Sequence, residues 1–394
     1  VPALLAGAVA ISAAGIATAG APITQLNYFA TGYDEFGVPL VIPSIDPAGV
    51  TYHGPSGNLF IADSEINEVD AVFELIQANI FEASPDGDTL YAGYDLTLLG
   101  NNEPTGITYN AFDGHFYVTN DDAMTITRYA FSPGSGFELD DVVSTLASAG
   151  ADDPEGITCD PATGLLYAAD GGGELILVYS YDEGGSGFNL EEILDLKDLN
   201  PPSEAPADPE GIAYDTGTGH VFVVSDPDNA VFEYTTAGIF VALYDLSGLA
   251  PSTVAPQGLT FAPTSDTGDN PLTQALYIAD ALVDNNQDPE ERDGAVYEAL
   301  VGADPCGNGV VDPGEDCSNC PADVQCPPGE ECVDGTCRLP CPWDLDGNAL
   351  VDIEDMLALL AAWGSDPGGP PDFDGGGVGI TDFLIMLAFW GPCP

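Results

Sequence analysis

The stretch from Asp153 to Asp170, DPEGITCDPATGLLYAAD, recurs in one register five times, beginning at Pro47, Pro104, Pro154, Pro209 and Pro256. Two residues on, every copy has glycine: Gly49, Gly106, Gly156, Gly211 and Gly258. Five residues on stand Tyr52, Tyr109, Cys159, Tyr214 and Phe261, and ten residues on the first four copies have Gly57, Gly114, Gly164 and Gly219. Sixteen residues on come Asp63, Asn120, Asp170 and Ser225, the last followed by Asp226; the fifth copy reaches Asp280 after an insertion of eight residues. A period of about 50 residues, with alternating apolar positions and Gly/Asp/Asn turns, predicts blades of four antiparallel strands arranged as a β-propeller.

The third strands read as NIFEAS, ITRYAF, LILVYSY, AVFEYT and AVYEAL, and the fourth as TLYAGYDL, GFELDDVVSTL, FNLEEILDL and FVALYDL. The fifth copy leaves at about Val301 without a fourth strand. The N-terminal stretch VPLVIPSI (Val38 to Ile45) is expected to supply it, because a ring closed from both chain ends has no free sheet edge there. Five blades fit the repeat count, and six if LNYFATGYDEFGVPLVI forms a degenerate blade.

Four basic residues stand against 65 acidic ones, for a net charge of −61. That excludes nucleic acid and anionic membranes as partners, since no basic patch can form. It suits high-salt water and divalent cations, although a lineage-wide acidic bias would leave the same mark. Eight of the nine cysteines fall after residue 305, which points to an oxidising compartment and a stapled segment. Residues 1–21, apolar and ending in an Ala-x-Ala-like pattern, read as the remnant of a secretory signal, with a membrane anchor as the alternative. The expected organisation is then a propeller at 22–303, a cysteine-rich module at 304–340 and a C-terminal domain at 341–394.

The Pro-x-Gly-Ile/Val-Thr/Ala-Tyr starts and Leu-Tyr-x-Ala-Asp second strands resemble NHL-type propellers and the related phytase-like and lactonase-like proteins. That resemblance speaks to fold more than to activity, since propellers host binding, scaffolding and hydrolysis alike. CGNGVVDPGEDC (Cys306 to Cys317) resembles the short cysteine-rich repeats of secreted bacterial surface proteins. A module this short, with six cysteines, cannot bury a core and is expected to depend on disulfides. Zinc on Cys317-x-x-Cys320 is disfavoured, because no histidine lies nearby.

Residues 341–394 are a duplication, DLDGNALVDIEDMLALLAAWG and DFDGGGVGITDFLIMLAFWG, in which Asp355 matches Asp382 and Trp363 matches Trp390. Each copy reads as an acidic loop followed by a helix. The expected apolar faces are Ile353, Met356, Leu357 and Leu360 in the first, and Ile380, Phe383, Leu384 and Leu387 in the second. In the first loop Asp344, Asp346, Asn348, Asp352 and Asp355 stand at positions 1, 3, 5, 9 and 12 of an EF-hand-type calcium loop, with the Leu350 carbonyl at position 7. Calcium needs six to eight hard oxygens around one point, which this alternation supplies. Ala349 replaces the usual turn glycine, a weakening of roughly 1–2 kcal/mol if the residue is left-handed. The second loop has Asp372, Asp374 and Asp382 but is one residue short, and is expected to bind weakly or not at all. The pair resembles a type I dockerin, which implies a cohesin-like or cell-envelope partner. Ile353 with Glu354 and Ile380 with Thr381, at the partner-selecting positions, are not the usual Ser-Thr. Cys341 and Cys393 bracket the pair and stand where a bridge would tie its ends.

Between Pro and Gly the five copies carry Ala48, Thr105, Glu155, Glu210 and Gln257. In propellers of this kind the preceding loop opens on the central channel, so Glu155 and Glu210, beside Asp153 and Asp208, are candidate cation ligands. Lactonase-like propellers hold a catalytic divalent cation with such side chains. Asp63, Asp170, Asp226 and Asp280 are a second acidic set, but recurrence favours turn capping over catalysis. His115 and His220 share a hairpin offset and, like His53, read as turn-side residues. Cys159 reads as a small core residue, Lys197 is the only lysine, and no Ser/His/Asp set, P-loop or dinucleotide fingerprint is present. The preferred reading is an extracellular or surface calcium-binding protein with a propeller as binding platform. A lactonase or phosphoesterase using a channel cation is the alternative.

Overall fold

A computed structural model describes residues 21–32, 44–66, 77–143, 150–151, 153–185, 187–266, 273–282, 293–302, 331–333, 336–338, 341–345 and 350–392. The chain divides into two compact units, Val1–Gly302 and Ala303–Pro394.

In the first unit, β1 (Ile23–Ala30) precedes the repeats. Blade 1 consists of β2 (Pro47–His53), β3 (Asn58–Asp63), β4 (Ile80–Ala83) and β5 (Leu90–Tyr94). Blade 2 has β6 (Ile107–Asn110), β7 (His115–Asn120), β8 (Thr125–Ser132) and β9 (Gly136–Val143). Blade 3 has β10 (Pro154–Cys159), β11 (Leu166–Asp170), β12 (Leu175–Asp182) and β13 (Gly187–Asp195). Blade 4 has β14 (Pro209–Asp215), β15 (His220–Ser225), β16 (Ala230–Thr235) and β17 (Phe240–Asp245). Blade 5 has β18 (Pro256–Pro263), β19 (Gln274–Asp280) and β20 (Ala295–Val301), completed by β1. The protein is therefore mainly β, a five-bladed propeller, and the residues proposed for a sixth blade begin inside the closing strand.

That closing strand corrects the expectation of VPLVIPSI. β1 runs antiparallel to β20 from Ile23 opposite Val301 to Ala30 opposite Ala295. Pro39 and Pro43 would each remove a ladder donor from VPLVIPSI, whereas ITQLNYFA contains no proline. Residues 38–43 lie outside the described ones, and Ser44 and Ile45 are not in a strand but bond the Asp63 carboxylate.

Blades pack face to face through five apolar layers, one at each junction. Cys159 lies in the layer between blades 2 and 3, where burial pushes its thiol up to about 12, the state of an inert core residue. At the axis the repeated glycines explain themselves. A Cβ on Gly49 would sit 2.6 Å from the Thr105 carbonyl, and one on Gly106 2.6 Å from the Glu155 carbonyl. The contact continues from Gly156 to Gly211, from Gly211 to Gly258, and back from Gly258 to Gly49. Five backbones thus meet in a ring that no side chain can enter, and the space they enclose is too small for a water molecule.

In the second unit, β21 (Glu331–Val333) and β22 (Thr336–Arg338) form a hairpin, and β23 (Leu350–Val351) pairs with β24 (Gly391–Pro392). The duplication gives α1 (Ile353–Ala361) and α2 (Ile380–Ala388). Their inward residues are Asp355 and Leu359 in α1 and Asp382 and Met386 in α2, packed with Val351 and Val378. The predicted apolar faces are corrected. Met356 and Phe383 do pack on this core, but Ile353, Leu357 and Leu360, and likewise Ile380, Leu384 and Leu387, are exposed. Both helices are apolar on two sides, so periodicity alone could not select the buried one. Residues 303–330 and Cys393, with most of the proposed stapling cysteines, lie outside the described residues.

Candidate metal centre at the channel mouth

Four of the inner strands enter the ring through an irregular register at Pro-x-Gly, among them those of blades 3 and 4, between Pro154 and Ile157 and between Pro209 and Ile212. Such a bulge leaves the middle residue unpaired and re-aims its side chain. Sequence reasoning placed Glu155 and Glu210 at this mouth, and the structure brings them together with Asp121, Asp153, Asp208 and Asp226. Carboxylate oxygens of Asp121, Asp153 and Glu155 all lie within 4.8 Å of one another. Asp121 was missed; it stands one residue past Asn120 as Asp226 stands one past Ser225, which was the available signal.

The electrostatics are those of crowded acids. Glu155 is partly buried, and solvent still reaches it. Burial, then Glu210 and Asp153, hold its carboxyl well above the usual range. Burial, with Asp208 and Asp226, pushes Glu210 up to about 8. Asp121 is raised by burial and by Asp122, against a hydrogen bond from Asp153. Among the described residues no hydrogen bond reaches the Glu155 or Glu210 carboxylate, and the buried Oε1 of Gln257, at the same repeat position in blade 5, has no partner either. The repeat position of Glu155 and Glu210 is neutral in blades 5 and 1, where Gln257 and Ala48 stand.

The second acidic set separates into two kinds. Asp63 accepts from the N–H groups of Ile45, Asp46 and Ile66; Asp170 from Asp153 and Gly173; Asp280 from Val254, Ala255 and Leu282. These three cap turns. Asp226 faces the mouth beside Asp208 and Glu210.

The described cations are engaged elsewhere. Arg128 is buried against Asp113 and Asp140, with its guanidinium 4.2 Å from the Tyr181 ring centre, and Lys197 pairs with Glu174 at 3.0 Å. His220 pairs with Glu233 at 2.6 Å, and His115 lies 2.9 Å from Arg128. His53 ends β2 beside the turn at 54–57, as expected, with Nδ1 2.7 Å from Ser56 Oγ, but its ring is buried among Phe60, Tyr109, Phe116 and Phe131, and burial lowers its pKa.

In the C-terminal unit, Asp346, Asn348 and Ala349 of the first loop lie outside the described residues. Asp355 accepts from Leu345 N (2.6 Å) and Asp352 N (2.8 Å), while Asp382 accepts from Phe373 N (2.7 Å) and Gly379 N (2.8 Å). The two acids therefore do the same work in the two copies, as the alignment predicted. The short second loop still gathers Asp372, Asp374 and Asp382 within 4.8 Å. Its Asp372 accepts from Gly375 N and Gly377 N, bonds that hold the loop shut on its own backbone.

No family model and no curated protein matches this chain. Among solved structures it is similar to the glutaminyl cyclase of Myxococcus xanthus, at 11% identity over 72% of this chain and 97% of that one, with a TM-score of 0.46. It is similar also to a luciferin-regenerating enzyme, at 13% identity over 72% of this chain and 98% of that one, TM-score 0.41. Virginiamycin B lyase from Staphylococcus aureus gives 13% identity over 68% and 86%, TM-score 0.34. At these scores the likeness carries no argument about activity, and the fold rests on the pairing of its own strands.

Proposed function

We propose that the protein is an exported, calcium-binding surface protein, in which the propeller mouth holds a divalent cation and serves as a binding platform while the dockerin-like C-terminal module attaches it to a cohesin-like or cell-envelope partner. The observation that carries the reading is the convergence of Asp121, Asp153 and Glu155 at a mouth where the described cationic side chains are used elsewhere. The donors are all carboxylate oxygens, a set that fits calcium or another hard cation and does not favour zinc. Export is supported by the apolar start and the cysteine-dense segment, and attachment by the paired loop-helix units with their exposed apolar stripes.

Equilibrium dialysis of the full chain tests this. One calcium equivalent is expected to disappear in the Asp121→Asn/Glu155→Gln double variant, and a separate one in Asp344→Ala, with Asp372→Ala losing little. If the double variant binds as much calcium as the wild type, the mouth holds no cation and only the attachment half of the reading stands.

The mouth also carries a pH signature. Glu155 and Glu210 bind protons more tightly in the folded state than in the unfolded chain, so metal-free stability falls as pH rises from about 4.5 towards 8. Protons and cation compete for the same oxygens, so calcium affinity at the mouth rises over the same range. Thermal melts at pH 5 and pH 9, with and without calcium, should show the largest protection at pH 9.

A second reading, a metal-dependent hydrolase, is favoured by Glu210. A carboxylic acid that still holds its proton near neutral pH beside a cation site is suited to general-acid work. Hydrolysis of lactone or phosphoester substrates that is lost in Glu210→Gln while calcium binding is kept would support it.

A further inference from the structure

We infer that a cavity between blades 2 and 3, beside the buried Arg128, binds a single neutral sugar ring. It lies at the turn ends of β6 and β10, whereas the channel mouth lies where those strands begin, so the two sites are independent.

The repeat is broken at this junction. One third-strand position, paired with Phe60, Tyr117, Tyr167, Phe222 and Tyr277 of the second strands, carries Glu82, Arg128, Val178, Glu233 and Glu298 in chain order. The three glutamates are satisfied by their own blades. Glu82 accepts from Asn58 and Tyr94, Glu233 from Tyr244 with His220 2.6 Å away, and Glu298 from Ser265 N. Blade 2 replaces the acid with arginine, one of four basic residues in a chain with 65 acidic ones, and leaves it only 1% exposed. Burying a charge is costly, so this single reversal sets the junction apart.

Beside Arg128 opens a cavity of about 150 Å³, lined by Phe112 and Tyr117 of blade 2 and by Ser180, Tyr181 and Glu183 of blade 3. At roughly 15 Å³ per water-sized group it has room for about ten of them, close to one sugar ring. Arg128 Nη1 carries two protons and has one acceptor among the described residues, Asp140 Oδ2. The hydroxyls of Tyr117, Ser180 and Tyr181 already donate to Asp113, Glu191 and Asp141, so towards a ligand they can only accept. Among the described residues no donor reaches the Glu183 carboxylate at the exposed rim. The cavity thus has a spare donor at its buried end and spare acceptors around it. An anion is disfavoured, because Asp113 and Asp140 already neutralise the guanidinium and Glu183 adds a third carboxylate. A cation would be repelled by the guanidinium and leave its Nη1 proton unmet. Neutral hydroxyl groups both accept from Arg128 and donate to Glu183. Phe112, 63% exposed, supplies an open aromatic face for the C–H side of the ring.

Saturation-transfer NMR titrations of the full chain test this, with glucose, galactose, mannose and their methyl glycosides as probes and with choline and acetate as charged comparators. At least one neutral sugar should bind, and choline and acetate should not. Arg128→Gln and Glu183→Gln should each weaken that sugar at least about tenfold, since each removes a hydrogen bond to a charged group. Phe112→Ala should weaken it too, while Tyr91→Ala, which removes an exposed aromatic from the outer strand of blade 1, should not. Glu183 and Phe112 are exposed, so their variants remain decisive even if Arg128→Gln fails to fold. A methyl glycoside that binds as well as the free sugar identifies the terminal unit of a glycan as the ligand; a free sugar that binds alone identifies the monosaccharide. Binding of none of the sugars, binding of choline or acetate in their place, or sugar binding unchanged in folded Glu183→Gln and Phe112→Ala would overturn the inference.

Discussion

Deleting residues 22–31 is expected to convert the soluble propeller into an aggregating chain, although every Pro-x-Gly repeat is retained. The deletion removes β1 and leaves β20 as an open edge along its whole length, from Ala295 to Val301. It also uncovers Tyr297, which is fully buried and packs on Tyr28 with ring centres 5.0 Å apart. The bonds between Gln25 and Ala250, which tie the same strand to the connection after blade 4, go with it. The closing contact joins the two ends of the propeller chain, so its loss reaches every blade. The milder Tyr28→Ala should stay folded and lose about 2 kcal/mol, less than a fully buried aromatic because Tyr28 is only half-buried. Size-exclusion chromatography and thermal melts check both. A monomeric deletion variant with an unchanged midpoint would mean that β1 does not close the ring.

The second large effect is expected at the glycine ring. In Gly156→Ala the new Cβ would meet Gly211 Cα at 2.6 Å, Ile212 N at 2.7 Å and the Glu210 carbonyl at 2.8 Å. All three are backbone atoms, so no side chain can swing away and blades 3 and 4 must separate at the axis. A cost on the order of 3 kcal/mol or more follows from overpacking of this kind. Gly54→Ala, where nothing lies within 4 Å, should be nearly neutral. Paired denaturant titrations of the two variants decide it; equal midpoints would show that the ring has slack that its geometry does not suggest.

The blades were readable in the sequence because the features that mark them are local and forced. A Pro-x-Gly bulge, a turn glycine and a capping acid serve one blade each, so they recur with the blade. Closure was legible only in kind. Two apolar stretches precede the first repeat, and the pairing of Ile23–Ala30 is a contact between chain ends that no local pattern encodes. The mouth was half legible for a related reason. Glu155 and Glu210 differ from Ala48 and Gln257 at one repeat position and so stood out, whereas Asp121 belongs to a different position and reaches Glu155 only across a blade boundary. Helix faces in the C-terminal unit failed as signals because both helices are apolar on two sides. The buried aspartates Asp355 and Asp382, not the apolar stripes, mark the inward side.

The closing strand has a mechanical side. The backbone N–H of Gly302 donates to the Pro22 carbonyl at 3.1 Å, so the chain enters and leaves the ring at one point, beside the Ile23–Val301 pair. Tension applied between the segment before Pro22 and the one after Gly302 would therefore pull two paired ends directly apart. It would load the β1–β20 ladder one rung at a time instead of shearing all of its rungs together. The other blades would carry none of that load until the zip had opened, so the seam that completes the fold is also where a tethered molecule would yield first.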